Sequence, residues 1–430
     1  RGYVCTQMKR VLILAYDFPP YNSIGGQRPY SWYRYLKEFN IEPVVVTRHW
    51  DIDIKGPKDC YLPSINRKVT KEETEFGTII RAPFTPLFRD KLIKETGKFF
   101  GFVRKGLTVW QMMTEHSLPS SDSRHSIYLA AKNYLKENKV DAIIATGEPF
   151  VLYTHAYHLS IEFNTPWIAD YRDGWSTNYH MSENGLHRWI QKKIHLPKEQ
   201  KIVSTAMLIT TAAPSISKDV RSLLKSKKTE VIYNGFFEEK FENITHQQPK
   251  ETFTIAHAGT VYPYQKVETF LNGLRTFFTE NPDKKVEIIF YGLNFQPDQL
   301  NRIKANAQGL PVSFTDRMPH NEMLEELTSC QALLLLATSK RHQIYAKVFD
   351  YLALKKPILV VENDHGPLEQ MLSGGHNHLL CENANEVANG ILSLIENSAS
   401  EIGMPPEIRF TRRFQSERFA KILNDLTQPA

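Results

Sequence analysis

No apolar run in this chain approaches the ~18 residues that a membrane-crossing helix needs, so the expectation is a soluble protein. The first residues also lack the basic-then-apolar pattern of a secretory leader. Cysteine is scarce: Cys5, Cys60, Cys330 and Cys381 are the only four. None forms a C-x-x-C pair, which removes zinc-ribbon and thioredoxin-like readings, and scattered thiols suit a reducing compartment. Charge of one sign is also lacking. Lys and Arg number 53 against 47 Asp and Glu, a net +6, without the dense basic face of a nucleic-acid domain. There is no G-x-G-x-x-G fingerprint and no P-loop. The spelling D-x-D occurs at Asp51–Asp53, but after the second strand and in the wrong half for a donor metal, so it reads as loop. Asn243-Ile244-Thr245 spells a glycosylation sequon, a pattern that arises by chance.

What is present is an alternation of strands and helices. At 430 residues the chain exceeds what one core usually serves, so two domains are expected. Val11–Tyr16 reads VLILAY, a short apolar run characteristic of a buried parallel strand. The loop DFPPYNSIGGQ follows, then a helix over Arg28–Phe39 and a second strand, Ile41–Thr47, which together make a βαβ unit. Further strands are predicted at Val140–Thr146, Thr165–Ala169, Ala206–Thr211 and Val231–Tyr233, with helices at Ser126–Lys136 and Pro149–Phe163. The polar stretch Glu238–Thr252 interrupts the rhythm, and a domain boundary is expected there. The alternation restarts with strands Phe253–Ala258, Val286–Tyr291, Leu333–Ala337 and Pro357–Val361 and helices Val267–Phe278 and Ala346–Leu354. The last segment, Arg409–Leu426, is basic, amphipathic and helical. The fold class is therefore α/β with two doubly wound, Rossmann-like units, in which ligands bind beyond the carboxyl ends of the strands.

Four motifs sit at such ends. Gly25-Gly26 follows the first strand, where missing side chains let a backbone approach a phosphate, although a plain turn explains it equally. Gly259-Thr260 with Lys266 could meet a diphosphate through one point charge. In YAKVFDYLALKKPIL, Tyr345–Leu359, Lys347 and Asp350 share a helix face; an acid there suits ribose hydroxyls, and a surface ion pair is the alternative. Asp170, Arg172 and Asp173 in PWIADYRDGWS cluster just past a strand, as a site or as a loop lock. His155, in the helix after TGEPF, could bond a sugar hydroxyl or be structural.

A further stretch, Phe88–Met113, alternates Lys and Arg with Phe, Leu, Val and Trp. Such a helix can lie on an anionic membrane, and the alternative is an excursion packed on the first domain.

In order and spacing these segments resemble family-4 glycosyltransferases of the GT-B fold, in the branch associated with bacterial surface polysaccharide assembly. LILAYDFPPYNSIGGQR resembles the family's first strand and glycine loop, HAGTVYPYQK its diphosphate segment, and SFTDRMPHNEMLEEL and YAKVFDYLALKKPIL its base and ribose stretches. The last helix resembles one that crosses back onto the first domain. The resemblance implies an acceptor-side domain over residues 8–245, with 408–430 packed on it, and a nucleotide-sugar domain over 246–407, facing each other across a cleft. It implies donor contacts from Gly25, Gly26, Gly259, Thr260, Lys266, Arg317, His342, Tyr345, Lys347 and Asp350. Asp350 stands where the family's second glutamate falls, His342 where the first falls, and Arg317 in a stretch where Gly is usual. Asp170, Arg172, Asp173 and His155 would serve the acceptor side.

The activity so implied is retaining transfer of a sugar, expected from a UDP-linked donor, to a glycan or lipid-linked acceptor. No metal or other cofactor and no nucleic-acid partner is expected. The location would be cytoplasmic, at the inner membrane face for a lipid-linked acceptor. A non-catalytic nucleotide-sugar binder and a sugar-nucleotide 2-epimerase are the alternatives on the same fold.

Overall fold

The computed structural model describes residues 8–426 except 22, 55–56, 94, 96, 115–118, 178–188, 339–343, 374–377 and 398–407. The chain divides into two compact units, Arg1–Tyr233 with Arg413–Ala430, and Asn234–Arg412.

The first unit holds an eight-stranded sheet in the order β3-β4-β2-β1-β5-β6-β7-β8. These strands are β1 (Lys9–Leu14), β2 (Ile41–Arg48), β3 (Thr70–Glu73), β4 (Thr78–Ala82), β5 (Ala142–Gly147), β6 (Trp167–Tyr171), β7 (Leu208–Thr211) and β8 (Thr229–Val231). Only the β3–β4 pair is antiparallel. The apolar runs have a direct cause, because both faces of the sheet are covered. Leu12 and Leu14 of β1 pack with Ile127, Leu152 and Tyr153 on one side. Val11 and Ile13 pack with Trp32, Tyr33 and Phe419 on the other. A parallel strand so covered has no face left for polar alternation.

Helix Arg412–Leu426 contributes to that second core. Phe419, Ala420 and Leu423 are buried in it, and the Phe419 ring lies 4.8 Å from Trp32. Lys9 Nζ donates to the Asn424 carbonyl at 2.9 Å. The C-terminal helix thus closes the first unit, although the whole second unit intervenes in sequence.

The second unit carries a six-stranded, all-parallel sheet in the order β11-β10-β9-β12-β13-β14. Its strands are β9 (Phe253–Ala258), β10 (Val286–Tyr291), β11 (Val312–Thr315), β12 (Ala332–Leu336), β13 (Ile358–Val361) and β14 (Leu379–Cys381). In this order the first strand of the unit lies beside its fourth, the reversal at which doubly wound sheets bind their ligands. Ile255, Ile288, Phe290 and Leu334 pack under helices Val267–Glu280 and Ala384–Glu396, through Phe270, Leu274, Val387 and Ile391.

Four strands escape the pattern read from sequence. β3 is TKEE, with three of its four residues exposed at a sheet edge, and its neighbour β4 is TIIRA. β11 is half-exposed throughout and β14 has three residues. β3, β11 and β14 are edge strands, which carry too little apolar burial to print a signal; β4 is internal and buried, but its apolar run is too short to stand out.

Candidate functional site

In the first unit the carboxyl ends of β1, β5, β6 and β7 converge on one buried carboxylate. Asp170 closes β6, and its side chain is wholly buried. Arg28 donates to it through Nη2 at 2.7 Å and through Nε at 3.0 and 3.1 Å. The Thr146 hydroxyl donates at 2.8 Å and the Thr210 hydroxyl at 2.7 Å. Arg28 also donates to the Ile232 carbonyl at 2.6 Å. A buried ion pair whose remaining lone pairs are satisfied fixes geometry, and removing one partner costs about 3–5 kcal/mol. Asp170 is therefore a loop and helix lock, which corrects its expected place on an acceptor wall.

The exposed layer above it is different. Ser23 caps helix Ile24–Tyr35 by accepting from the Gly26 amide at 3.0 Å, and its own hydroxyl donates to Asp17 at 2.8 Å. This cap starts the helix earlier than expected, so Gly25 and Gly26 form its first turn instead of a loop. A Cβ on Gly25 would lie 2.1 Å from Arg172 Nη1 and 2.8 Å from Asp17 Oδ2. Glycine thus lets the guanidinium lie against the helix start. Arg172 is aimed by donating to the Gly147 carbonyl at 2.6 Å and to the Glu148 carbonyl. Asp173 stands exposed beside them. Burial and Asp173 push the Glu148 carboxyl above the usual range, while Arg172 and Arg124 pull it down. Glu199 is buried behind the same loop and holds it, accepting from the Tyr171 hydroxyl at 2.8 Å and the Ser176 amide at 2.9 Å.

His155 corrects another expectation. It is wholly buried inside helix Val151–Phe163, its ring 5.5 Å from Tyr128, and offers nothing to a ligand. Beyond Phe18, Tyr30 and Trp50 a cavity of about 490 Å³ opens, with Asp51, Glu72 and Arg81 along its sides. Asp51 accepts from the Ile65 and Asn66 amides at 3.0 and 2.6 Å.

In the second unit the parallel strands place their following residues on one edge. Gly259 follows β9 at φ +80°, with open space where a Cβ would stand. Lys266 precedes helix Val267–Glu280 and its side chain is 59% exposed. Its amine pairs with Glu362, just past β13, at 3.1 Å, and the same carboxylate accepts from the Thr269 hydroxyl at 3.0 Å. Tyr262 stacks on Tyr264 at 5.3 Å, and the buried Tyr345 ring lies 6.5 Å from Tyr262. Asp350 pairs with His320 at 3.0 Å. Arg317 is exposed past β11, its amide donating to Asn294 at 3.1 Å.

Lys347, expected as a donor contact or in an ion pair with Asp350, is engaged by other partners. Its amine donates to the Thr260 carbonyl at 2.9 Å and to His257 Nε2 at 3.0 Å. His257 Nδ1 meets the Leu334 carbonyl at 3.0 Å; a carbonyl only accepts, so Nδ1 carries the proton and Nε2 accepts from Lys347. Burial and the Lys347 charge push His257 well below the usual histidine range. The protein packed around the Lys347 amine pushes it down to about 7. The residue thus fixes the 259–260 turn and is only partly charged near neutrality.

No protein-family profile and no curated protein matches the chain, but solved structures do. Sucrose-phosphate synthase from Thermosynechococcus elongatus is similar at TM-score 0.55 and 14% identity, over 97% of this chain and 96% of that one. A glycosyltransferase from Rickettsia africae aligns at TM-score 0.58 and 11% identity, over 98% and 99%. HepE of Anabaena, solved with UDP and glucose, aligns at TM-score 0.52 and 13% identity, over 98% and 97%. The chain has the GT-B fold. The coverage leaves neither unit out of that fold.

Within this GT-B chain, the structure gathers Gly25, Gly26, Arg172 and Asp173 at one edge of the first unit. Gly259, Thr260, Lys266, Arg317, Tyr345, Lys347 and Asp350 follow the strand ends of the second. His342 lies outside the described residues. Sequence reading missed Arg28, Glu148, Glu199 and Glu362. Glu148 had a signal, an acid in GEP directly after a strand. Arg28, Glu199 and Glu362 look like surface helix or loop charges until partners from distant strands are known.

Proposed function

We propose that the protein is a glycosyltransferase that moves a sugar from a nucleoside-diphosphate donor, UDP-linked, with retention of configuration. The observation that carries this reading is the exposed Lys266 amine, steadied by Glu362 beside the left-handed turn at Gly259. A point charge next to an open backbone turn suits a diphosphate. The half-exposed tyrosines 262 and 264 offer aromatic surface for a base, and Asp350 offers an acceptor for ribose hydroxyls. HepE has been solved with UDP-glucose, and a UDP-forming trehalose-phosphate synthase from Burkholderia vietnamiensis shares the fold, which supports the choice of donor.

In the transfer, the bond from the anomeric carbon to the diphosphate oxygen breaks and a bond to the acceptor oxygen forms on the same face. The leaving oxygen takes the acceptor proton, so no protein base is obligatory. Lys266 stabilises the developing charge, and the reaction is proposed to need no metal. The acceptor, a glycan or a lipid-linked sugar, would meet Arg172 and Asp173. A lipid-linked acceptor would bring the enzyme to the cytoplasmic face of a membrane.

A non-catalytic nucleotide-sugar binder is the rival that one observation favours, the engagement of the Lys347 amine by His257 and the Thr260 carbonyl. The test is a melting-temperature panel of nucleoside diphosphates and their sugars in EDTA. A ligand at 100 times its dissociation constant adds about 2.7 kcal/mol. Stabilisation by UDP in EDTA that Lys266→Ala abolishes supports the donor site. No response to any nucleotide contradicts it. Response without turnover on any lipid-linked or free glycan acceptor selects the binder.

A further inference from the structure

Helix Lys98–Thr114 is amphipathic with the wrong face outward. Its inner side is anchored: Gln111 is buried and donates to Asp122 at 2.9 Å. Lys198 Nζ holds the far end through the Met113 carbonyl at 2.7 Å. The outer side is a stripe of large apolar side chains at helical spacing. Phe99 is 72% exposed, Phe102 78%, Trp110 56% and Met113 58%, with Val109 between them at 39%. Positions 99, 102, 109 and 113 fall on one helical face, and Phe88, 65% exposed, adds to the patch from the preceding turn. Ordinary surface helices bury this face, and contiguous exposed apolar surface marks an interaction site.

Charge identifies the occupant. The helix contains Lys98, Arg104 and Lys105 and no acid. The preceding stretch adds Arg89, Lys91 and Lys94 against Asp90 and Glu95, and Asp90 is buried and paired with Arg89 at 2.9 Å. A protein interface would set acidic residues among such cations or exclude charge from its centre. Exposed Phe and Trp beside the exposed cations Lys91 and Lys105 match the headgroup layer of an anionic bilayer. At ~25 Å for 17 residues the helix is long enough to lie in that layer, and no described helix is long and apolar enough to cross a membrane.

We propose that the first unit docks on anionic lipid by inserting the Phe99–Phe102–Trp110–Met113 stripe, with the exposed Lys91 and Lys105 at the headgroups. This surface stands whether or not the transfer reaction does.

The test is co-sedimentation of the full chain with phosphatidylglycerol–phosphatidylcholine vesicles and with phosphatidylcholine alone. The wild type is expected to pellet with the anionic vesicles and only weakly with the neutral ones. Phe102→Ser/Trp110→Ser should weaken partitioning more than about tenfold with an unchanged melting temperature. Lys91→Ala/Lys105→Ala should weaken it about fivefold per cation. UDP stabilisation, read on the same preparations, is expected in every variant, so loss of that response strikes the donor reading and not this one. Absence of wild-type pelleting at low salt, or equal pelleting of all variants, overturns the proposal. So does a dimer in sedimentation velocity that the Phe102/Trp110 variant dissolves while vesicles are ignored, because the stripe would then meet a second copy of the chain.

Discussion

The two units use the same arrangement, a parallel sheet with charged residues at its carboxyl edge, in opposite ways. In the first, the central carboxylate, Asp170, is enclosed by Arg28, Thr146 and Thr210. In the second, Lys266 and Asp350 remain at the surface, each against one partner, Glu362 and His320. An enclosed pair determines shape, because its charges have no solvent to return to. A surface pair has little net stabilising value, so its partner can be exchanged for a ligand of matching charge. The first edge is therefore a rigid frame carrying a thin exposed layer, and the second is a set of loosely paired charges, which suits the proposed diphosphate site.

The largest effect that could break this contrast is at Asp170. Asp170→Ala is expected to lower stability by about 3–5 kcal/mol in urea unfolding; an inactive variant of wild-type stability would return Asp170 to the chemistry. Phe419→Ala, which empties the site beside Trp32, should lose a similar ~3–5 kcal/mol from the first unit, measurable in the same unfolding curves. Gly25→Ala sharpens the contrast, because the new methyl would meet Arg172 at 2.1 Å. The flexible ends of Arg172 and Asp17 must move aside to admit it, so a stability change within about 1 kcal/mol is expected, with loss of transfer.

A pH-dependent effect concerns Lys347. Its folded value, about 7, lies below the ordinary 10.5, so between these pH values the unfolded chain binds the extra proton. The contribution of Lys347 to stability therefore rises with pH from about 7 to 10.5 and is at its least below 7. Against Lys347→Met, the wild type should gain in relative stability across that window. A difference that stays flat with pH would mean that the amine keeps its charge.

Much of the frame was legible in the residues. Strands β9 and β10 print their full lengths as FTIAHA and VEIIFY, because a strand covered on both faces is apolar throughout. The C-terminal helix was visible as an amphipathic stretch. Its seat on Trp32 was not, because the partners lie at opposite ends of the chain. The sites were legible as positions and not as roles. Asp170, Arg172 and Asp173 are neighbours in sequence, yet Asp170 lies inside β6, which is buried along its whole length, while Arg172 and Asp173 fall past its end and reach the surface. Lys266 and Lys347 look alike as letters; one is exposed on Glu362, and the other holds the Thr260 carbonyl. Which way the apolar face of helix Lys98–Thr114 points was likewise invisible, since periodicity reports that a face exists and not what covers it.

The most direct test of the contrast is calorimetric titration of UDP, in EDTA, into the wild type, Lys266→Ala and Arg172→Ala. The account predicts that Lys266→Ala weakens binding about tenfold or more, a loss of ~1.4 kcal/mol, while Arg172→Ala leaves the affinity unchanged. Equal affinity in all three proteins, or loss in Arg172→Ala alone, would contradict it and move the diphosphate away from the second unit's edge.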